Sequence, residues 1–157
     1  METVKFGSWV AEVDPEANRA AYREIPTGAE DVCGCLECLN FAAARAKGLV
    51  YPKEVLALLK RMGVDPARAS EVYGMGLNRD QRGQYLFGGW FNVIGHLLGD
   101  DVPAPDQITP RIQLFPSHDG ALPDPAFGDA ALFRIEFVIA LPWLLDEPHW
   151  EQPRRRR

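Results

Sequence analysis

Helix punctuation crowds the first 63 residues of the chain and then disappears. Asp14-Pro15-Glu16 is a helix start. Asp supplies a capping oxygen, Pro tolerates the first turn, and Glu favours the positive end of the helix dipole. That helix is expected to end near Ile25, before Pro26. A second helix is expected over residues 36–47, carried by the good helix formers Phe41-Ala42-Ala43-Ala44-Arg45-Ala46-Lys47 and stopped by Gly48. A third opens at Pro52 and closes at Gly63, with Val55, Leu56, Leu58, Leu59 and Met62 as its apolar stripe.

Strand patterns surround this block. Residues 4–13 read as one strand. Residues 71–76 and 85–94 read as a hairpin around the polar turn 78–83. Gly88-Gly89 in mid-strand predicts a bulge or a close backbone approach. Residues 112–115 form a further strand between two proline-containing loops, 97–110 and 116–128. Residues 133–141 alternate, with Ile135, Phe137, Ile139 and Leu141 on one buried face. Helices gathered in one part of a chain and strands in another imply an α+β fold. The expectation is a mainly antiparallel sheet of four to five strands with about three helices packed on one face. A chain of 157 residues fits one such domain, spanning residues 1–150, followed by a basic tail over 151–157.

No apolar run reaches the roughly 18 residues that would span a bilayer. The start, Met1-Glu2-Thr3-Val4-Lys5, lacks the pattern of a secretory leader, so a cytoplasmic location is expected. Charge is uneven. Residues 100–151 carry Arg111 and Arg134 against ten carboxylates, a balance of −8, and Arg154–Arg157 follow as four consecutive arginines. An acidic surface of this kind repels a phosphate backbone, which argues against nucleic acid. It suits a protein partner instead, and the leading functional expectation is a small binding or interaction protein. The closing segment, with Trp143, His149 and Trp150 among acidic residues, can dock such a partner or cap the edge of the fold. Tyr85, Phe87, Trp90, Phe91 and Asn92 can line a pocket, although aromatics in a central strand are more often core.

All three cysteines lie in one stretch, Cys33-Gly34-Cys35-Leu36-Glu37-Cys38. Residues two apart in extended chain point the same way, and residues three apart converge across a turn or a helix start. The three sulfurs can therefore reach one centre, and with a fourth donor would make a tetrahedral zinc site. His96 is the first choice for that donor; His118, His149, Asp31 and Glu37 are the others. A second alternative is a thiol redox pair, Cys35 and Cys38, activated by a helix N-terminus and opposed by the charge of Glu37. Clustered thiols, buried or half-exposed, with a purely structural role are the plain alternative to both. No nucleophile elbow, phosphate loop, zinc-protease helix or deaminase signature is present, so no catalytic residue is assigned.

Cys-Gly-Cys-x-x-Cys-x-Asn-Phe at 33–41, Gly-Trp-Phe at 89–91 and Leu-Pro-Trp-Leu-Leu-Asp-Glu at 141–147 resemble a group of small uncharacterised bacterial proteins. The resemblance implies a bacterial origin and carries over no activity and no catalytic residue.

Overall fold

A computed structural model describes residues 1–99, 104–118 and 123–151. Among the described residues, seven strands form one antiparallel sheet. They are β1 (Glu2–Phe6), β2 (Trp9–Val13), β3 (Glu71–Leu77), β4 (Gln84–Leu98), β5 (Asp106–Thr109), β6 (Ile112–Ser117) and β7 (Leu132–Pro142). The helices are α1 (Pro15–Glu24), the short α2 (Ala29–Cys33), α3 (Leu36–Ala46) and α4 (Lys53–Met62). The α+β class and the antiparallel sheet agree with the expectation, and the strand count exceeds it.

The additional strands have local causes. Residues 4–13 are two strands, not one, because the chain reverses at Gly7-Ser8. The carboxylate of Asp106 holds that turn by accepting from the Ser8 N–H at 3.2 Å. The expected loop 97–110 contributes β5 and the end of β4. The expected loop before Cys35 contains α2, which starts after Gly28 and places two acidic residues at its N-terminal end.

The order is β1-β2-β4-β7-β6-β5, with β3 also on β4. Strand β4 is the spine: β7 runs along one edge from Gln84 to Ile94. The other edge is shared, with β3 covering Tyr85–Trp90 and β2 covering Gly95–Leu98. Between them β4 has no strand partner, and side chains take over. The Asn92 N–H donates to Ser70 Oγ at 3.3 Å, and Tyr22 Oη donates to the Asn92 carbonyl at 2.8 Å. The Ile94 N–H donates to Asn18 Oδ1 at 2.8 Å. Asn18 and Tyr22 are four apart on one face of α1, so both reach the same strand.

The odd-numbered residues of β4 and β7 face the helices. Phe41 of α3 lies against Phe137, Phe87 and Tyr51, with ring centroids 5.9, 6.0 and 6.4 Å away. Gly88 and Gly89 cause no bulge; the register shift is in β3, between Gly74 and Gly76. They serve close approach instead. A Cβ on Gly88 would meet the Tyr73 ring at 2.5 Å, and one on Gly89 would meet the Glu71 carbonyl at 2.4 Å.

Arg45 ties α3 to the segment that precedes the cysteines. It donates to Glu30 Oε1 at 2.6 Å, to Asp31 Oδ2 at 3.0 Å and to the Ala67 carbonyl at 2.8 Å. Glu30 is buried, and burial pushes its carboxyl above the ordinary value while its own backbone amide and Arg45 pull it down. Arg45→Ala would strand that carboxylate. Removing one partner of a buried pair costs about 3–5 kcal/mol, and the low end applies because Arg45 stays 22% exposed. A carboxyl whose folded-state pKa is raised holds its proton more tightly in the native state, so stability falls as pH rises through that pKa. The loss in Arg45→Ala is therefore expected to be smaller in mildly acidic buffer than in mildly alkaline buffer. Urea unfolding of both proteins at the two pH values checks this, and a loss that grows toward acid would refute it.

Candidate metal centre

The cysteines sit at the joint between two helices. Cys33 ends α2, Gly34 turns the chain with φ +71°, and Cys35 is the N-cap of α3. A left-handed φ favours glycine, and it lets the chain reverse within one residue so that Cys33 and Cys35 stay close. The Cys38 N–H, in the first turn of α3, donates to Cys35 Sγ at 3.4 Å. A sulfur thus fills the capping role usually taken by a side-chain oxygen. Cys38 is buried, with its Sγ 3.9 Å from the Val72 carbonyl of β3. Cys33 and Cys35 are exposed, and all three thiols are free.

The three sulfurs lie within 4.8 Å of one another. Zinc at about 2.3 Å from each sulfur in a tetrahedron requires about 3.5–4 Å between them, and the observed spacing approaches that. Among the described residues, no fourth His, Cys, Asp or Glu joins them at this spacing.

His96, the first-choice fourth ligand, is held elsewhere. Its Nε2 is 3.0 Å from Glu12 Oε2 of β2. Val72, beside Cys38, is opposite Gly89, and His96 is seven residues farther along β4. At ~3.4 Å per residue that separation is roughly 24 Å, which is too far for a shared ion. Asp31 is paired with Arg45, as described above. Glu37 points to the C-terminal segment, where its Oε1 accepts from Trp150 Nε1 at 3.3 Å and lies 3.5 Å from His149 Nε2. The Glu151 N–H donates to His149 Nδ1, which places the ring proton on Nε2, facing Glu37. His118 is exposed and is not part of the sulfur group.

The electrostatics of the trio are asymmetric. The Cys35 backbone N–H, helped by the Cys35 and Cys38 thiols, pulls the Cys33 thiol below its ordinary value. Burial, reinforced by the two neighbouring thiols, pushes Cys38 up. The Glu71 carboxylate opposes the Cys33 thiolate.

Residues outside the cysteine loop brace it, and sequence spacing gave no sign of the long-range contacts of Asn40. Asn40, one turn into α3, is buried. It donates to the Pro142 carbonyl at 3.1 Å and accepts from the Leu144 N–H at 2.6 Å. This one side chain joins the cysteine motif to the Leu-Pro-Trp motif at the end of β7. His149 then packs on Tyr85 and Trp143, with ring centroids 4.5 and 4.9 Å away. The aromatic C-terminal segment therefore caps the fold edge next to α3.

Several carboxylates of the acidic half are also engaged internally. Asp124 accepts from the Ala126 N–H, Glu136 from Ser117 Oγ, and Glu151 from the Leu77 N–H. Trp90 and Asn92, on the even-numbered face of β4, line a cleft beside Cys33, whereas Tyr85, Phe87 and Phe91 belong to the core. No helix is long and apolar enough to cross a membrane among the described residues. Comparisons with protein-family models, curated proteins and solved structures give no match.

Proposed function

We propose that the protein binds a thiophilic metal ion, zinc in the first place, through Cys33, Cys35 and Cys38, and leaves one coordination position for a ligand from outside the trio. The observation that carries this reading is the convergence of three sulfurs, within 4.8 Å of one another, from a helix end, a cap and a first turn. Structural zinc sites are closed by four protein ligands, whereas sites that act on something keep a position open. Two exposed thiols and one buried, positioned thiol suit the second kind. This reading is preferred to docking through the acidic half because several of those carboxylates serve the chain's own turns and strands.

The test is elemental analysis of untagged protein purified with a reductant. About one zinc per chain is expected, and less than about 0.2 would sink the proposal. The exposed Cys33 thiol, drawn below its ordinary pKa and with its sulfur within 4.8 Å of that of Cys38, favours a second reading, a dithiol that cycles with a disulfide. Metal-free protein that forms an intramolecular disulfide under mild oxidation, and regains both thiols on reduction, would favour it over the metal.

A further inference from the structure

We infer that the cleft beside the unpartnered stretch of β4 binds a small organic carboxylate, anchored by Arg134. The cleft, about 510 Å³ in volume, is lined by Arg134, Trp90, Asn92, Ser70, Ile25 and Val32 among others. That volume suits a metabolite-sized ligand. It lies where β2 and β3 leave a gap on the edge of β4, and Ser70 and Asn92 line the cleft there.

Arg134 is only 5% exposed, and its guanidinium carbon lies 4.2 Å from the centroid of the Trp90 ring. Its Nη2 is buried with no hydrogen-bond partner among the described residues. A buried guanidinium nitrogen with no hydrogen-bond partner is unfavourable, and stacking on an aromatic face offsets only part of that.

The other charged side chains around the cleft each make at least one hydrogen bond or ion pair. Arg68 pairs with Asp65 at 2.7 Å, Glu71 accepts from the Val72 N–H, and Asp124 accepts from the Ala126 N–H. Glu136, two residues along β7, accepts from Ser117 Oγ at 2.5 Å. Among the described residues, Arg134 Nη2 is the buried polar atom of the cleft with no hydrogen-bond partner, and an anion would supply one.

The surroundings set the class of that anion. Glu71 and Asp124 at the rim repel a phosphate dianion more than a monoanion. A carboxylate matches the planar fork of a guanidinium held flat against an indole. Ile25, Val32 and the Trp90 ring offer an apolar wall to a hydrocarbon body. The site depends on Arg134, not on the thiols, so it stands whether or not the cysteines hold metal.

The test is an NMR titration of the full chain, with chelator present, using phenylacetate, its neutral isostere phenylacetamide, and inorganic phosphate. Phenylacetate is expected to shift the Trp90 indole and Asn92 side-chain signals saturably, and phenylacetamide to bind at least about 10-fold more weakly. Arg134→Gln is expected to weaken phenylacetate by a similar factor. If that variant does not fold, the comparison of acid with amide in the unaltered protein decides alone. No saturation by about 20 mM phenylacetate, equal binding of acid and amide, or shifts confined to another surface would each overturn the site. Tighter binding of phosphate than of phenylacetate would overturn the carboxylate assignment.

Discussion

Cys38→Ser is expected to lower zinc affinity by at least roughly 100-fold, more than the ~10–100-fold that follows loss of an outer hydrogen-bond partner of a metal ligand. Cys38 is the fixed member of the trio: buried, in the first turn of α3, with its sulfur against the Val72 carbonyl. Cys33 and Cys35 are exposed and can adjust, so their serine variants are expected to lose less. Serine is close in size and leaves α3 in place, so the loss should appear in metal binding with little change in unfolding free energy. Competition with a chromogenic chelator, run beside urea unfolding, separates the two effects. Equal zinc affinity in Cys38→Ser and the unaltered protein would remove the metal reading.

Phe41→Ala is expected to destabilise the protein by about 3–5 kcal/mol, the range for removing a buried aromatic ring. Phe41 is fully buried and bridges α3 to β4 and β7 through Phe87 and Phe137. The residues around it come from a helix, two strands and the loop holding Tyr51, so the cavity cannot collapse from one side. Against a total stability of about 5–15 kcal/mol this is a large fraction. Phe41→Leu retains most of the volume and should lose less than half as much. Chemical denaturation of the three proteins tests the order, and a Phe41→Ala loss below about 1.5 kcal/mol would show that the cluster is not the centre of the core.

What could be read from the chain was local. Asp14-Pro15 gave the start of α1, the alternation through Ile135, Phe137, Ile139 and Leu141 gave the buried face of β7, and the cysteine spacing gave the convergence of the sulfurs. Each depends on residues within a few positions of one another. The turn at Gly7-Ser8 was written in the sequence as a glycine followed by a serine, but the apolar residues on both sides masked it.

The rest depends on partners far along the chain. His96 could be chosen as a ligand only because the path of β4 away from the trio was not visible. Arg134, in the run Phe-Arg-Ile-Glu-Phe, sits at a position that alternation assigns to solvent. Its burial is set by Trp90 and by a cleft whose other walls include residues near 25–33. Nothing adjacent to Asn40 in sequence announces Pro142 and Leu144.

Asp14 takes part in two structures at once. Its N–H donates to the Ile94 carbonyl, continuing the β2–β4 ladder, while its carboxylate accepts from the Ala17 N–H and caps α1. A one-residue slip of β2 along β4 would turn Trp9, Ala11 and Val13 from the interior to the opposite side. It would also pull the helix cap away from Ile94 and move Asn18 off the same residue. The alignment of β2 on β4 is therefore tied to the helix that follows it, as well as to the strand's own pairing. Mispaired or exchanged versions of the N-terminal hairpin are penalised before any of its own contacts are counted.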